Sequence, residues 1–196
     1  TGAPFYKQDP ANAAWKNIGP TGGQFDAVLV HEGKLYAGSG GSGFFGVSSG
    51  GGVFISADNG QTWRSTRGIR VGTVFDLAAF NNTLYAGSNG GRIYFSTDGG
   101  ESWEQPLLNI ASGATVHDFY EYNGRLYAAT VGDGVWRLGD SPYKWEKLGT
   151  AGLTNQRVWA LTSSSANLFA GTEGGVFLST DGGATWAARN TGMTYS

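Results

Sequence analysis

The sequence predicts an all-β protein assembled from four copies of a four-stranded antiparallel unit, and three observations lead there. Glycine makes up 34 of 196 residues, a density that helices do not carry, because a mid-helix glycine costs about 1 kcal/mol relative to alanine. Aromatic residues make up 14% of the chain, which supplies the apolar surface that disordered chains lack. The glycines follow no three-residue period, so a collagen-like fibre is excluded. The third observation is a pair of landmarks that returns along the chain.

The first landmark is Lys34-Leu35-Tyr36-Ala37-Gly38. It recurs as Thr83-Leu84-Tyr85-Ala86-Gly87, Arg125-Leu126-Tyr127-Ala128-Ala129 and Asn167-Leu168-Phe169-Ala170-Gly171. The second is the octapeptide from Ser56 through Asp58 and Gly60 to Trp63. It returns from Ser96 through Asp98 and Gly100 to Trp103, and from Ser179 through Asp181 and Gly183 to Trp186. A worn copy between Leu138 and Trp145 keeps only Asp140 and Trp145.

Each unit reads as strands a to d. Strand a is apolar, as in residues 74–80. A turn such as Asn81-Asn82 or Asn123-Gly124 follows, Asn-Gly being a strong hairpin signal. Strand b is the first landmark. A glycine loop leads to strand c, residues 52–56 or 175–179. The octapeptide then turns the chain into strand d, which starts at the tryptophan. Four strands in about 42 residues is the blade of a β-propeller. An immunoglobulin-like sandwich gives no reason for one turn to recur at a fixed period. The expected blades are about 25–68, 74–108, 116–149 and 157–190, in one domain or propeller segment spanning 1–196. Residues 13–19 resemble strand d and are expected to form a lone N-terminal strand. An excerpt of a longer propeller or a homo-oligomer is favoured over a lone four-blade ring, because an open arc leaves edges exposed.

The octapeptide resembles the Asp-box, or BNR, repeat of sialidase, sortilin, xyloglucanase and photosystem II assembly factor-like propellers. The resemblance covers residues 25–190. It implies the propeller fold and leaves function open, since one fold hosts many activities. Asp58, Asp98 and Asp181 are expected to hold their turns by accepting downstream backbone N–H bonds. The tryptophans are expected to bury their rings between sheets, with the N–H groups free to find carbonyls. Asp58 with Asn59-Gly60 matches half of an EF-hand loop but lacks the closing Glu, so no metal or cofactor is expected.

A net charge of −2 gives no field that favours nucleic acid or anionic lipid. No apolar run of about 18 residues spans a bilayer. The absence of cysteine excludes disulfides and thiolate chemistry. The expected setting is extracellular or periplasmic, with a processed N-terminus. The sequon at Asn81 is read as a chance occurrence.

The b–c loops (38–52, 87–92, 129–134, 171–175) and d–a loops (65–73, 107–115, 148–157) share one face, which the resemblance marks as the usual ligand face. The first b–c loop is about nine residues longer than the others and carries Phe44 and Phe45. It is read either as a partner or sugar contact or as a plug folded over the channel mouth. Asp76 and Asp118 occupy matching positions in strand a. His117, Trp159, Arg67, Arg70, Arg92, Asp133, Arg157 and Glu173 are placed nearby as candidate binding residues, with solvated loop charge as the alternative.

No catalytic residue is assigned. The resemblance to sialidases would imply an Arg-Ile-Pro segment and a Tyr/Glu nucleophile pair. The nearest match, Arg92-Ile93-Tyr94, lacks the proline. Xyloglucanase-like hydrolysis needs two opposed carboxylates, and none can be paired by spacing. The expected function is therefore a non-catalytic binding or scaffold module with a protein or glycan partner. The alternatives are a carbohydrate-active domain, either hydrolase or lectin, and an accessory factor of a larger complex.

Overall fold

The computed structural model describes residues 6–8, 15–17, 19, 24–40, 51–69, 72–106, 110 and 113–193. Among them there is no helix. β1 (Tyr6–Gln8) and β2 (Trp15–Asn17) form a two-stranded antiparallel sheet. Blade 1 is β3 (Phe25–His31), β4 (Lys34–Ser39), β5 (Val53–Ser56) and β6 (Arg64–Ser65). Blade 2 is β7 (Val74–Phe80), β8 (Thr83–Ser88) and β9 (Ile93–Ser96). Blade 3 is β10 (Thr115–Tyr122), β11 (Arg125–Val131), β12 (Gly134–Leu138) and β13 (Trp145–Lys147). Blade 4 is β14 (Val158–Ser164), β15 (Asn167–Thr172), β16 (Gly175–Ser179) and β17 (Ala187–Ala188).

The a–b hairpins follow from turn chemistry. Glu32-Gly33, Asn81-Asn82 and Asn123-Gly124 all take positive φ, the backbone of a two-residue turn that matches strand twist. His31 is the last residue of β3, paired with Lys34.

Three further details depart from the expectation. The N-terminal strand is not solitary: β2 pairs with β1, Tyr6 lying opposite Asn17. Three residues are too few to show an alternation in sequence. In blade 2, strand d shrinks to a single bridge between Phe95 and Glu104. Pro106, two residues on, has no N–H to extend a ladder. The turn at Asp140 closes through backbone bonds, Gly139 N to Lys144 O at 2.8 Å and Lys144 N to Ser141 O at 3.1 Å.

The chain divides into two compact units, one of Thr1–Ala86 with Tyr94–Gln105, the other of Gly87–Ile93 with Pro106–Ser196. The core of the first joins Ala27, Tyr36, Val53 and Ile55 of blade 1 to Val74, Leu77, Leu84, Ala86, Tyr94 and Trp103 of blade 2. The core of the second joins Tyr122, Tyr127, Ala129 and Val135 of blade 3 to Val158, Leu161, Leu168, Ala170, Phe177 and Trp186 of blade 4. In both, one blade lays the same face on the next.

This packing explains the Leu-Tyr-Ala-Gly landmark. The tyrosine donates across to the next octapeptide turn, Tyr36 Oη to Gly99 O at 2.9 Å and Tyr127 Oη to Gly182 O at 3.4 Å. The glycine makes room for the next inner strand. A Cβ on Gly38 would lie 2.6 Å from Val74 Cγ1, and one on Gly87 would lie 2.7 Å from Val116 Cγ1. The segment after strand d runs parallel to the next turn, so that Trp103 N donates to Arg67 O and Trp186 N to Ala151 O, both at 2.9 Å.

Candidate functional site

The three well-formed octapeptide turns share one bond set. The serine hydroxyl accepts the amide of the fourth residue on, Gly60 N to Ser56 Oγ at 2.8 Å, Gly100 N to Ser96 Oγ at 2.9 Å and Gly183 N to Ser179 Oγ at 2.7 Å. It also donates to the aspartate, at 2.8 Å for Asp58, 2.7 Å for Asp98 and 2.8 Å for Asp181. Each aspartate then takes the hydroxyl and amide of the residue before the tryptophan: Thr62, Ser102 or Thr185. Both oxygens of each carboxylate are thus engaged by groups of its own turn.

These bonds set the acidity. The Thr62 hydroxyl and amide hold Asp58 down at about 2, and those of Thr185 hold Asp181 at about 2. For Asp98, desolvation pulls upward and the Ser102 hydroxyl and amide outweigh it, again giving about 2. A depressed carboxylate stabilises the fold above its unfolded pKa, and that contribution is lost as pH falls through the folded value. Acid unfolding is therefore expected to develop between about pH 4 and pH 2. An Asp98→Asn chain should lose stability at neutral pH and show a shallower slope across that window. An unchanged slope, followed by circular dichroism, would remove the turns from the account.

Trp103 and Trp186 close their turns over the cores, whereas Trp63 is half-buried and belongs to neither. Trp103 is 4% and Trp186 5% exposed. Their indole N–H groups, free to find a carbonyl, meet no acceptor among the described residues. The rings are held by packing.

The candidate binding residues separate into groups. In blades 3 and 4 the inner strand carries a bulge, its register shifting between Val116 and Asp118 and between Val158 and Ala160. The extra residues are His117 and Trp159. A bulge re-aims a side chain, and these two meet: the rings lie 4.9 Å apart, edge to face, and His117 Nδ1 is 3.2 Å from Trp159 O. Trp159 remains 40% exposed. Beside it Arg157 Nε pairs with Glu173 Oε2 at 2.7 Å, and Glu173 N donates to Arg157 O at 3.3 Å. Asp133 accepts from Trp136 Nε1 at 3.2 Å and pairs with Lys147. The two loops carrying these residues are stitched by Gly132 N and Gly134 N, both donating to Gln156 O.

Asp118 is half-buried beneath this group, its Oδ2 accepting Leu161 N at 2.8 Å. Desolvation raises its pKa, and the Leu161 amide and the nearby His117 oppose this only in part. One turn of the pleat further on, Tyr120 Oη lies 3.0 Å from Ser163 Oγ and accepts Ser163 N at 3.1 Å. Both contacts join adjacent inner strands, so they serve to align blade 4 on blade 3.

The other candidates belong to other elements or lie outside the described residues. Asp76 is half-buried in β7, and Arg92 donates to Asn89 O within its own loop at 3.1 Å. Arg67 lies against the second octapeptide turn. With Arg64, Ser65, Asp98, Glu101 and Ser102 it lines a cleft of about 350 Å³, in which Arg64 pairs with Glu101. Phe44, Phe45 and Arg70 lie outside the described residues. Among the described residues no three His, Asp or Glu side chains gather as metal ligands.

Sequence reasoning missed Lys147, Gln156, Tyr120 and Ser163. The first two sit at the end of strand d and in the following loop, where no repeat position marks them. The bulges also went unread, although Val116-His117-Asp118 and Val158-Trp159-Ala160 align as a polar or aromatic residue inserted after a buried valine.

Residues 54–65, 94–105 and 177–188 match the BNR/Asp-box repeat model. This chain carries BNR/Asp-box repeats. The worn copy at Asp140 is outside those matches, in keeping with its backbone-closed turn. Solved structures with similar blades include YCF48 bound to D1 peptide, with a TM-score of 0.60 and 18% identity over 90% of this chain and 58% of that one. YCF48 from Cyanidioschyzon merolae gives 0.63 and 14% over 92% and 61%. The GH74 enzyme of Niastella koreensis gives 0.62 and 20% over 93% and 28%. The Asp-box chain thus has the β-propeller blade fold and spans a little over half the length of the YCF48 chains. No curated protein sequence matches it.

Proposed function

We propose that the chain is a non-catalytic binding module that takes a protein or glycan partner on the loop face of blades 3 and 4. The observation that carries this reading is Trp159, presented by a bulge, braced edge-on by His117 and flanked by the Arg157–Glu173 pair. A half-exposed aromatic beside a charged pair offers apolar area together with directional bonds, the composition of interface hot spots. Asp133 and Glu173 are each engaged by a cation and Asp118 by an amide, which supports binding over acid–base work. A structural neighbour, YCF48, is described bound to a peptide, which favours a peptide partner. The resemblance to sialidase and sortilin propellers motivates an extracellular or periplasmic setting, to be checked by cell fractionation.

The test is to probe peptide and glycan arrays with the wild-type chain and the Trp159→Ala chain. A hot-spot residue is worth about 2 kcal/mol or more, so affinity should fall by about thirtyfold. Array binding that ignores Trp159 would move the site elsewhere. A glycoside hydrolase is the second reading, motivated by the GH74 neighbour. Turnover of a chromogenic glycoside that vanishes with Asp118→Asn would establish it over the first.

A further inference from the structure

One junction is built twice, and the two copies differ in charge. In each unit the segment after a strand d lies parallel to the next Asp-box turn, Arg67 bridging to Ser102 and Ala151 to Thr185. Trp103 N donates to Arg67 O and Trp186 N to Ala151 O, both at 2.9 Å. A glycine follows in both copies, Gly68 and Gly152, where a Cβ would fall 1.9 and 1.8 Å from the tryptophan carbonyl oxygen. The backbone of the junction is therefore the same. Yet Ala151 and Ala184 stand in blades 3 and 4 where Arg67 and Glu101 stand in blades 1 and 2. Alanine satisfies the fold at both positions, so the charges are surplus to it.

These charges line the cleft of about 350 Å³, together with Arg64, Ser65, Asp98 and Ser102. That volume falls within the range of small-ligand sites, about 300–1,000 Å³. The carboxylates of the cleft are already engaged. Both oxygens of Asp98 receive donors of its own turn, from Ser96 Oγ, Ser102 N and Ser102 Oγ. Glu101 is paired with Arg64. Arg67 is exposed, and among the described residues no carboxylate pairs with it. Its guanidinium presents five N–H donors in a planar fork that matches a carboxylate. A cleft whose acids are engaged and whose fork is open takes an acceptor.

The lining also narrows the acceptor. Two arginines and two carboxylates leave no net charge, which suits a singly charged carboxylate better than a phosphate group of nearly two charges. No aromatic ring lines the cleft among the described residues, so no platform stacks on a sugar ring. We propose that this cleft takes the side-chain carboxylate of an acidic peptide segment in a protein partner, held by the Arg67 guanidinium with Arg64 and Ser65 beside it. It shares no residue with the Trp159 group, so it stands whether or not that group binds.

NMR titration of the full chain tests this, with a short polyglutamate peptide, polyglutamine of equal length and an oligogalacturonate as probes. Polyglutamate should shift the amides of residues 64–67 and 98–102, around the cleft, and polyglutamine should not. Arg67→Ala should weaken polyglutamate binding about tenfold or more, since hydrogen bonds to a charged group are the stronger kind. That variant keeps its junction, as Ala151 does. Glu101→Ala should tighten binding, because it releases the Arg64 fork and removes a like charge. Arg125→Ala, at an exposed arginine of blade 3, should leave binding unchanged. Shifts that gather elsewhere, or an Arg67→Ala chain that binds like wild type, would overturn the proposal. So would equal losses for Arg67→Ala and Arg125→Ala, or weaker binding by Glu101→Ala. Tighter binding of oligogalacturonate than of polyglutamate would give the cleft to an acidic sugar instead.

Discussion

Trp186→Ala is expected to destabilise the unit formed by blades 3 and 4 by about 3–5 kcal/mol, the usual range for deleting a buried indole. Trp186 is 5% exposed and belongs to the core with Leu161, Leu168, Ala170 and Phe177. It also anchors the Asp-box turn from which strand d departs, through its amide bond to Ala151 O. Trp186→Phe should cost much less than Trp186→Ala, because the indole N–H has no acceptor among the described residues to leave behind. Urea unfolding of the three chains reads the difference. If Trp186→Ala loses under about 1 kcal/mol, the ring is not a core element, since even one buried methylene is worth about 0.8 kcal/mol.

Asp118→Ala and Asp118→Asn are expected to diverge. Alanine leaves the Leu161 amide without its acceptor, which costs about 1–3 kcal/mol. Asparagine keeps an acceptor and removes a charge that burial penalises. Because the folded pKa of Asp118 is raised, the stability linked to its proton is full below the unfolded pKa and is lost as pH rises through the folded value. The asparagine chain should therefore be at least as stable as wild type at pH 7, and that advantage should disappear in acid. The Asp-box aspartates shift the other way, so the two sets are separable by their pH slopes. Equal losses for alanine and asparagine at pH 7 would exclude this account.

The repeat, the hairpin turns and the Asp-box positions were legible in the sequence because each is a local bargain. Asn123-Gly124 takes positive φ at both residues of its turn, and Ser179, Asp181 and Thr185 satisfy one another within seven residues. The candidate site was legible only in part. His117, Trp159, Arg157 and Glu173 were named from their place in the repeat. Lys147 and Gln156 were not, because their partners come from other loops. Arg67 was assigned to the ligand face, yet the segment after strand d turns onto the neighbouring Asp-box.

What the sequence determined by itself is the blade: its strands, its turns and the lowered pKa values of its Asp-box aspartates all arise from bonds between residues close in the chain. The tertiary structure decided which faces are filled. Gly38 and Gly171 occupy the same place in the same motif, yet a Cβ on one would press on Val74 and a Cβ on the other would meet, among the described residues, only Ala160 O at 3.8 Å. Asp118 and Ala160 likewise share a position, and only packing against blade 4 gives the aspartate its buried amide. Such differences depend on what lies across an interface between blades, and no window of local sequence contains both sides of it.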